Sequence, residues 1–230
     1  MYTPPPIKLA RFARHMPLLL GVFAIAPYAN ADVPNPDCAT YCDGVKVIDL
    51  SGRDLRRTNL NGRNLKCANL EGVRMGWSTL LNTNLSGATL SKADMGYAQL
   101  AGANLECATI SGAQIKKAKL QRTWLIGADM TGSSLEGANL AGANLSRAKL
   151  GEANLNRAVL TGAKLPYAVL KKARLNRATA VAVDFYGADL SQTDFRNANI
   201  SWSNLTKANL TDANFRGARY DGVIFNSPPP

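Results

Sequence analysis

From Leu50 to Phe225 an apolar residue falls on every fifth position, 36 positions in one register without an insertion or deletion. The series begins Leu50, Leu55, Leu60, Leu65, Leu70, Met75 and Leu80, and Ala180 is its one small member. Neither regular secondary structure can use that step. An α-helix turns about 100° per residue, so five residues carry the next leucine about 140° round the cylinder and no apolar face forms. A straight strand alternates with period two, so an odd step sends successive leucines to opposite sides. The chain must therefore turn once per repeat. If every turn has the same sense, the central residue and the residue two before it both point inward and the other three point out, which is a solenoid.

The rest of the repeat fits that geometry. The position two before the centre is small or β-branched, as at Ala68, Ala88, Ala93, Ala98, Ala103 and Ala108, and the residue between is often Asn or Asp, as at Asn59, Asn69, Asp94 and Asn104. Asn and Asp tolerate unusual backbone angles and hydrogen-bond locally, while Gly52, Gly62, Gly72 and Gly87 ease the corners. Backbone groups can then pair with the coils above and below. Runs such as Ala103-Asn104-Leu105, Ala138-Asn139-Leu140 and Ala143-Asn144-Leu145 resemble the pentapeptide-repeat family, and the resemblance covers residues 48–225. It implies an all-β fold, a right-handed quadrilateral parallel β-helix with four repeats per coil and about nine coils.

The chain ahead of the repeats reads differently. Lys8, Arg11 and Arg14 precede an apolar run from Met16 to Ala29, and Ala29-Asn30-Ala31 offers small residues to a signal peptidase. The run is shorter than the roughly 20 residues a bilayer span needs and is interrupted by Pro17 and Pro27. Residues 1–31 are expected to be a cleaved signal peptide, 32–47 an N-terminal cap, 48–227 the repeat β-helix and 228–230 a proline tail. The mature protein then starts near Asp32, periplasmic or secreted, and loss of the leader lowers the net charge from +11 to +8. A basic exported chain favours anionic partners such as acidic envelope polymers or lipid, and disfavours nucleic acid.

Departures from the repeat mark its ends. Arg53 and Arg63 occupy small inward positions, where an unpaired guanidinium is costly, so the first coil is expected to be open or capped, with these arginines reaching out of the rod's end toward Asp37 or Asp43, the alternative being a distorted, exposed coil. Ala180 should leave a void that Val183 fills in part. Phe215, Tyr220 and Phe225 give the last coil an aromatic layer, a candidate surface for end-to-end self-association. Cys67 and Cys107 lie two coils apart on one face, about 9.6 Å, beyond the roughly 7 Å a disulfide spans. The expected disulfide is Cys38 with Cys42.

Nothing in the pattern calls for catalysis. The single histidine, His15, lies in the leader, which removes the usual base for a Ser or Cys nucleophile, and the carboxylates follow the repeat rather than clustering as ligands. No enzyme activity, cofactor or metal is expected. Three binding roles remain. One is a scaffold that holds a protein partner on its faces. Another is a binder of anionic polymer or membrane surface through the face carrying Arg56, Arg57, Arg74, Lys116, Lys117, Arg157, Arg174, Arg177, Arg196 and Arg216 against Asp54, Asp94, Glu136 and Asp194. Trp77 and Tyr97 stand on that face and could stack on sugars, bases or side chains. The preceding face carries only four cations against six carboxylates. The third role, implied by family members that imitate DNA and bind type II topoisomerases, needs an acidic cytoplasmic protein and is disfavoured here by charge and leader.

Overall fold

The structure, a computed structural model, describes residues 36–225. The leader expected at 1–31 and the tail expected at 228–230 lie outside the described residues. The chain turns once per repeat and returns to its starting side after four. Every isolated backbone bridge is parallel and joins a residue to the one 20 further on, from Asp49 with Asn69 to Asn204 with Ile224. Sides 1 to 4 take their numbers from the centres Leu50, Leu55, Leu60 and Leu65, and each corner carries the number of the side it follows. The ladders consist of isolated bridges rather than the extended strands of an ordinary β-sheet. Each turn spans the centre and the three residues after it, which leaves one residue per side free to bridge.

Backbone N–H accounting explains the repeat's composition. Around Leu50, its own N–H donates to the Asn69 carbonyl (2.8 Å), Gly52 N–H to Glu71 (2.8 Å), and Arg53 N–H closes the turn on Leu50 (3.2 Å). Asn69 N–H reaches back to Ile48 (2.9 Å). One N–H per repeat, on the residue after the centre, meets no backbone acceptor of a neighbouring coil. The Asn or Asp before the centre accepts it: Asp49 from Ser51 (2.9 Å), Asn139 from Ala141 (3.0 Å), Asn214 from Arg216 (3.0 Å). That bond, rather than tolerance of unusual angles, is why Asn recurs there. The left-handed backbone falls three residues later. At every corner from residue 52 to 222 the third turn residue has φ between +53° and +72°, the sign a type II turn requires. Gly occupies 14 of these corners and larger residues, including Arg57, Trp77, Tyr167 and Trp202, the other 21.

Large corner side chains lean toward the next coil, and glycine often receives them. A methyl group on Gly187 would sit 2.8 Å from the Tyr167 ring, and Gly222 lies directly under Trp202. Between the two end coils the centres and small residues are buried, as in the all-leucine layer Leu150, Leu155, Leu160 and Leu165. Inward hydroxyls are satisfied by backbone: Ser78 donates to Met75 (2.6 Å) and Thr193 to Leu170 (2.9 Å).

Three expectations about the departures are corrected. Ala180 shares its layer with Phe185 and both are fully buried, so the volume missing at one centre is supplied at the next, besides the buried Val183. Arg53 and Arg63 are exposed on a first coil whose turns and inter-coil bonds are regular, so the coil is open but not distorted. They form no ion pair with Asp37 or Asp43 among the described residues; Asp37 instead accepts the Ala39 N–H (3.2 Å) and the Thr40 hydroxyl (3.0 Å).

The disulfide expectation is the third correction. Cys38 pairs with Cys107 (Cα–Cα 5.2 Å) and Cys42 with Cys67 (5.7 Å). Residues 36–45 run as a strap along corner 4, where the column reads Cys67, Gly87, Cys107, Gly127. Cysteines four apart in the strap meet cysteines two coils apart, which their separation matches better than a four-residue loop would. The alternating glycines make room: a methyl on Gly127 would meet Pro36 at 2.7 Å, and one on Gly87 would meet Tyr41 at 2.9 Å. Tyr41 donates to Glu106 (3.3 Å) and Lys66 lies over its ring.

Candidate functional site

The bridges bring the predicted basic face together as side 2, since Asp54, Arg74, Asp94, Gln114, Ser134, Asn154, Arg174, Asp194 and Asn214 form one unbroken ladder. All ten cations named for that side are exposed. The strap lies on corner 4, between sides 4 and 1, and leaves side 2 bare.

Local pairing divides the side. Arg56 chelates Asp54 through Nε (2.9 Å) and Nη2 (2.6 Å), and Arg74 adds a third contact to the same carboxylate (3.1 Å). The Arg56 hydrogen bonds, first from its side chain and then from its backbone, hold the Asp54 carboxyl well below the usual carboxylate range. Arg196 grips Asp194 likewise (2.7 Å) and lowers it too. Arg57, Lys116, Arg157, Arg177 and Arg216 make no ion pair among the described residues, and their side chains are exposed. Asp94 is the exception among the carboxylates on the ladder's first half. Its Oδ1 accepts the Gly96 N–H (3.0 Å), and no cation lies within ion-pair distance.

Trp77 and Tyr97 stack on each other at corner 2, with ring centroids 4.2 Å apart and planes 4° apart, and the Lys117 ammonium lies 5.5 Å from the Tyr97 centroid. Tyr97 is thus covered on one face by Trp77 and on the other by Lys117, while Trp77 is stacked on one face and more than half exposed, and both present ring edges toward the side. Between this aromatic column and the Asp54–Asp94 ladder lies an open depression of about 810 Å³, floored by Gly76 and Gly96 and closed at its ends by Arg56 and Lys116. The depression exists because these two coils carry glycine where neighbouring coils carry Arg56 and Lys116. Sequence reasoning counted Asp54 and Asp94 only as opposing charges and passed over the two glycines. Writing the sequence in rows of 20 would have aligned them beside Trp77 and Tyr97.

At the other end Tyr220, Ile224 and Phe225 are exposed, while Phe215 packs flat on Phe195 at 5.0 Å. Among the described residues no group of His, Cys, Asp or Glu could hold a metal ion, and no helix is long and apolar enough to cross a membrane.

The sequence model of pentapeptide repeats matches in eight copies, within residues 48–82, 83–122, 113–151, 143–179, 153–192 and 184–219. Among solved structures, a trypsin-treated form of QnrB1, a plasmid-mediated fluoroquinolone resistance protein, is 19% identical with a TM-score of 0.66, over 79% of this chain and 92% of that one. HetL, a pentapeptide repeat protein involved in heterocyst differentiation regulation in the cyanobacterium Nostoc sp. strain PCC 7120, is 33% identical with a TM-score of 0.49, over 81% and 90%. No curated protein matches.

Proposed function

Because the chain belongs to the pentapeptide-repeat family, whose members are generally non-enzymatic structural or binding proteins, we propose that it is an exported solenoid that holds an anionic partner along side 2. The fold assumed is the right-handed helix of about nine coils that the family implies. The carrying observation is charge segregation: ten exposed cations against four carboxylates on one side, of which two are already neutralised by arginine. Export, to the periplasm or beyond, is supported by the basic-then-apolar leader and by two disulfides, which persist in oxidising compartments and are rare in the cytosol. A DNA-mimic role would need the opposite surface charge.

Changing Arg157, Arg174 and Arg177 together to Glu is expected to weaken binding to an anionic polymer by about tenfold or more and to flatten its salt dependence. The same reversal at Lys149, Lys171 and Lys172 of side 1 should do much less. Titration at several salt concentrations reads both, and equal losses from the two triples would reject the assignment.

The aromatic last coil supports end-to-end self-association, since Tyr220 and Phe225 are exposed there. Phe225→Asp should then shift a dimer to monomer in sedimentation velocity; an unchanged distribution would remove this idea.

A further inference from the structure

The depression on side 2 does not fit a partner that offers acceptors alone. At neutral pH an inorganic polyphosphate, or a lipid phosphodiester whose headgroup has no hydroxyl or amine, presents phosphate oxygens almost exclusively, and Asp94, with no cation within ion-pair distance among the described residues, would face them as a like charge. The floor adds a second unmet demand of the opposite kind. Gly76 follows Met75, and the residue before that centre is Arg74, so the usual Asn or Asp acceptor is missing and the Gly76 N–H has no partner among the described residues. Within one depression there are thus a carboxylate seeking donors, a backbone donor seeking an acceptor, and cations at the rim, Arg57 and Lys116.

A hydroxylated anion meets all of these demands together. Sugar hydroxyls donate to Asp94 and accept from Gly76, while a carboxylate on the same ring or the next lies against Arg57 or Lys116. The glycine floor and the vertical wall of Trp77 and Tyr97 edges leave space for one ring lying flat on the side. Beyond a gap at Glu136, the unpaired Arg157 and Arg177 continue the positive track along the same side, so a chain of such units would meet cations again further along.

We infer that the partner of side 2 is a carboxylated polysaccharide, one unit of which seats on Gly76 and Gly96 with its hydroxyls on Asp94. This rests on the reading of side 2 as the binding surface and narrows its partner to one chemical class.

The test uses the disulfide-intact protein with three probes: polygalacturonate, inorganic polyphosphate, and vesicles containing phosphatidylmethanol, an anionic lipid whose headgroup carries no hydroxyl. Asp94→Asn should weaken polygalacturonate binding about tenfold, since a charged acceptor is lost, and should leave unchanged or strengthen binding to the other two, since a like charge is lost. Gly76→Asn fills the depression with the residue that Asn156 and Asn176 place at the same position further along side 2, so the fold accommodates it. It too should weaken polygalacturonate about tenfold and spare the other probes, with an unchanged melting temperature for both variants. If the Arg157, Arg174 and Arg177 reversal weakens all three probes while Asp94→Asn and Gly76→Asn leave polygalacturonate untouched, the seat is wrong and the basic side stands. If Asp94→Asn strengthens polygalacturonate, or the wild-type protein prefers polyphosphate or vesicles, the polysaccharide assignment is overturned. If the triple changes nothing, the reading of side 2 fails with it.

Discussion

Replacing all four cysteines with serine is expected to lower the melting temperature by roughly 10–15 °C and to free the strap while the repeat core keeps its β-type circular dichroism. The Cys38–Cys107 bond links residues 69 apart and Cys42–Cys67 residues 25 apart. In the chain-entropy account a loop of the longer kind contributes about 3–5 kcal/mol, and the shorter loop, nested inside it, adds less than its isolated value. The strap's other anchors are few: the Tyr41 bond to Glu106, the Lys66 contact, and packing on two glycines. Without the covalent links those contacts do not hold ten exposed or half-buried residues against their conformational entropy. The core differs, because each coil is bonded to its neighbours through backbone hydrogen bonds and leucine layers that involve no cysteine side chain. Thermal unfolding with and without reductant checks this, and a shift under about 2 °C would show that the strap adds nothing.

The second large effect concerns the layer of Leu170, Leu175, Ala180 and Phe185. Phe185→Ala should destabilise by about 3–5 kcal/mol, because it opens a hole beside an alanine that has no side chain to move into it. Ala180→Leu should also destabilise, by about 1–3 kcal/mol, since the ring already occupies the space. Joined as Ala180→Leu with Phe185→Leu, the layer becomes four leucines, as in the coil of Leu150 to Leu165 directly before it, and the cost should fall below about 1.5 kcal/mol. Such non-additivity is the signature of two residues sharing one volume. Denaturant unfolding of these variants together with Phe185→Leu alone, which completes the cycle, measures it. Additive costs would mean that the two centres are independent and that the buried ring does not compensate for Ala180.

These layers show what the sequence makes legible. A step of five forces a turn per repeat, and the turn puts Leu150 or Ala138 inside regardless of what the side chains outside do. The register carried over to the whole ladder, including which residues share side 2. What stayed hidden depends on contacts between coils or on a direction that periodicity does not encode. The role of Asn139 emerges only once each backbone N–H is followed to its acceptor. The left-handed corners at Arg57 or Trp202 carry no composition signal, since packing along the corner column accommodates residues that local preference would exclude. The disulfides were misassigned because proximity in sequence favours Cys38 with Cys42. Their actual partners are set by the strap running lengthwise along corner 4, and the alternation of Cys67, Gly87, Cys107 and Gly127 was the available clue. On side 2, adding charges along the face concealed that Asp54 is spent on Arg56 and Arg74 whereas Asp94 is free.

A mature, oxidised, exported chain is what the proposed function requires, and one intact-mass measurement tests it. Protein recovered from cells is alkylated without reduction and weighed. The expected mass corresponds to a chain beginning at Asp32 with two disulfides and no alkyl groups, and reduction before alkylation should add four. A chain that retains Met1 and takes up four alkyl groups without reduction would contradict it.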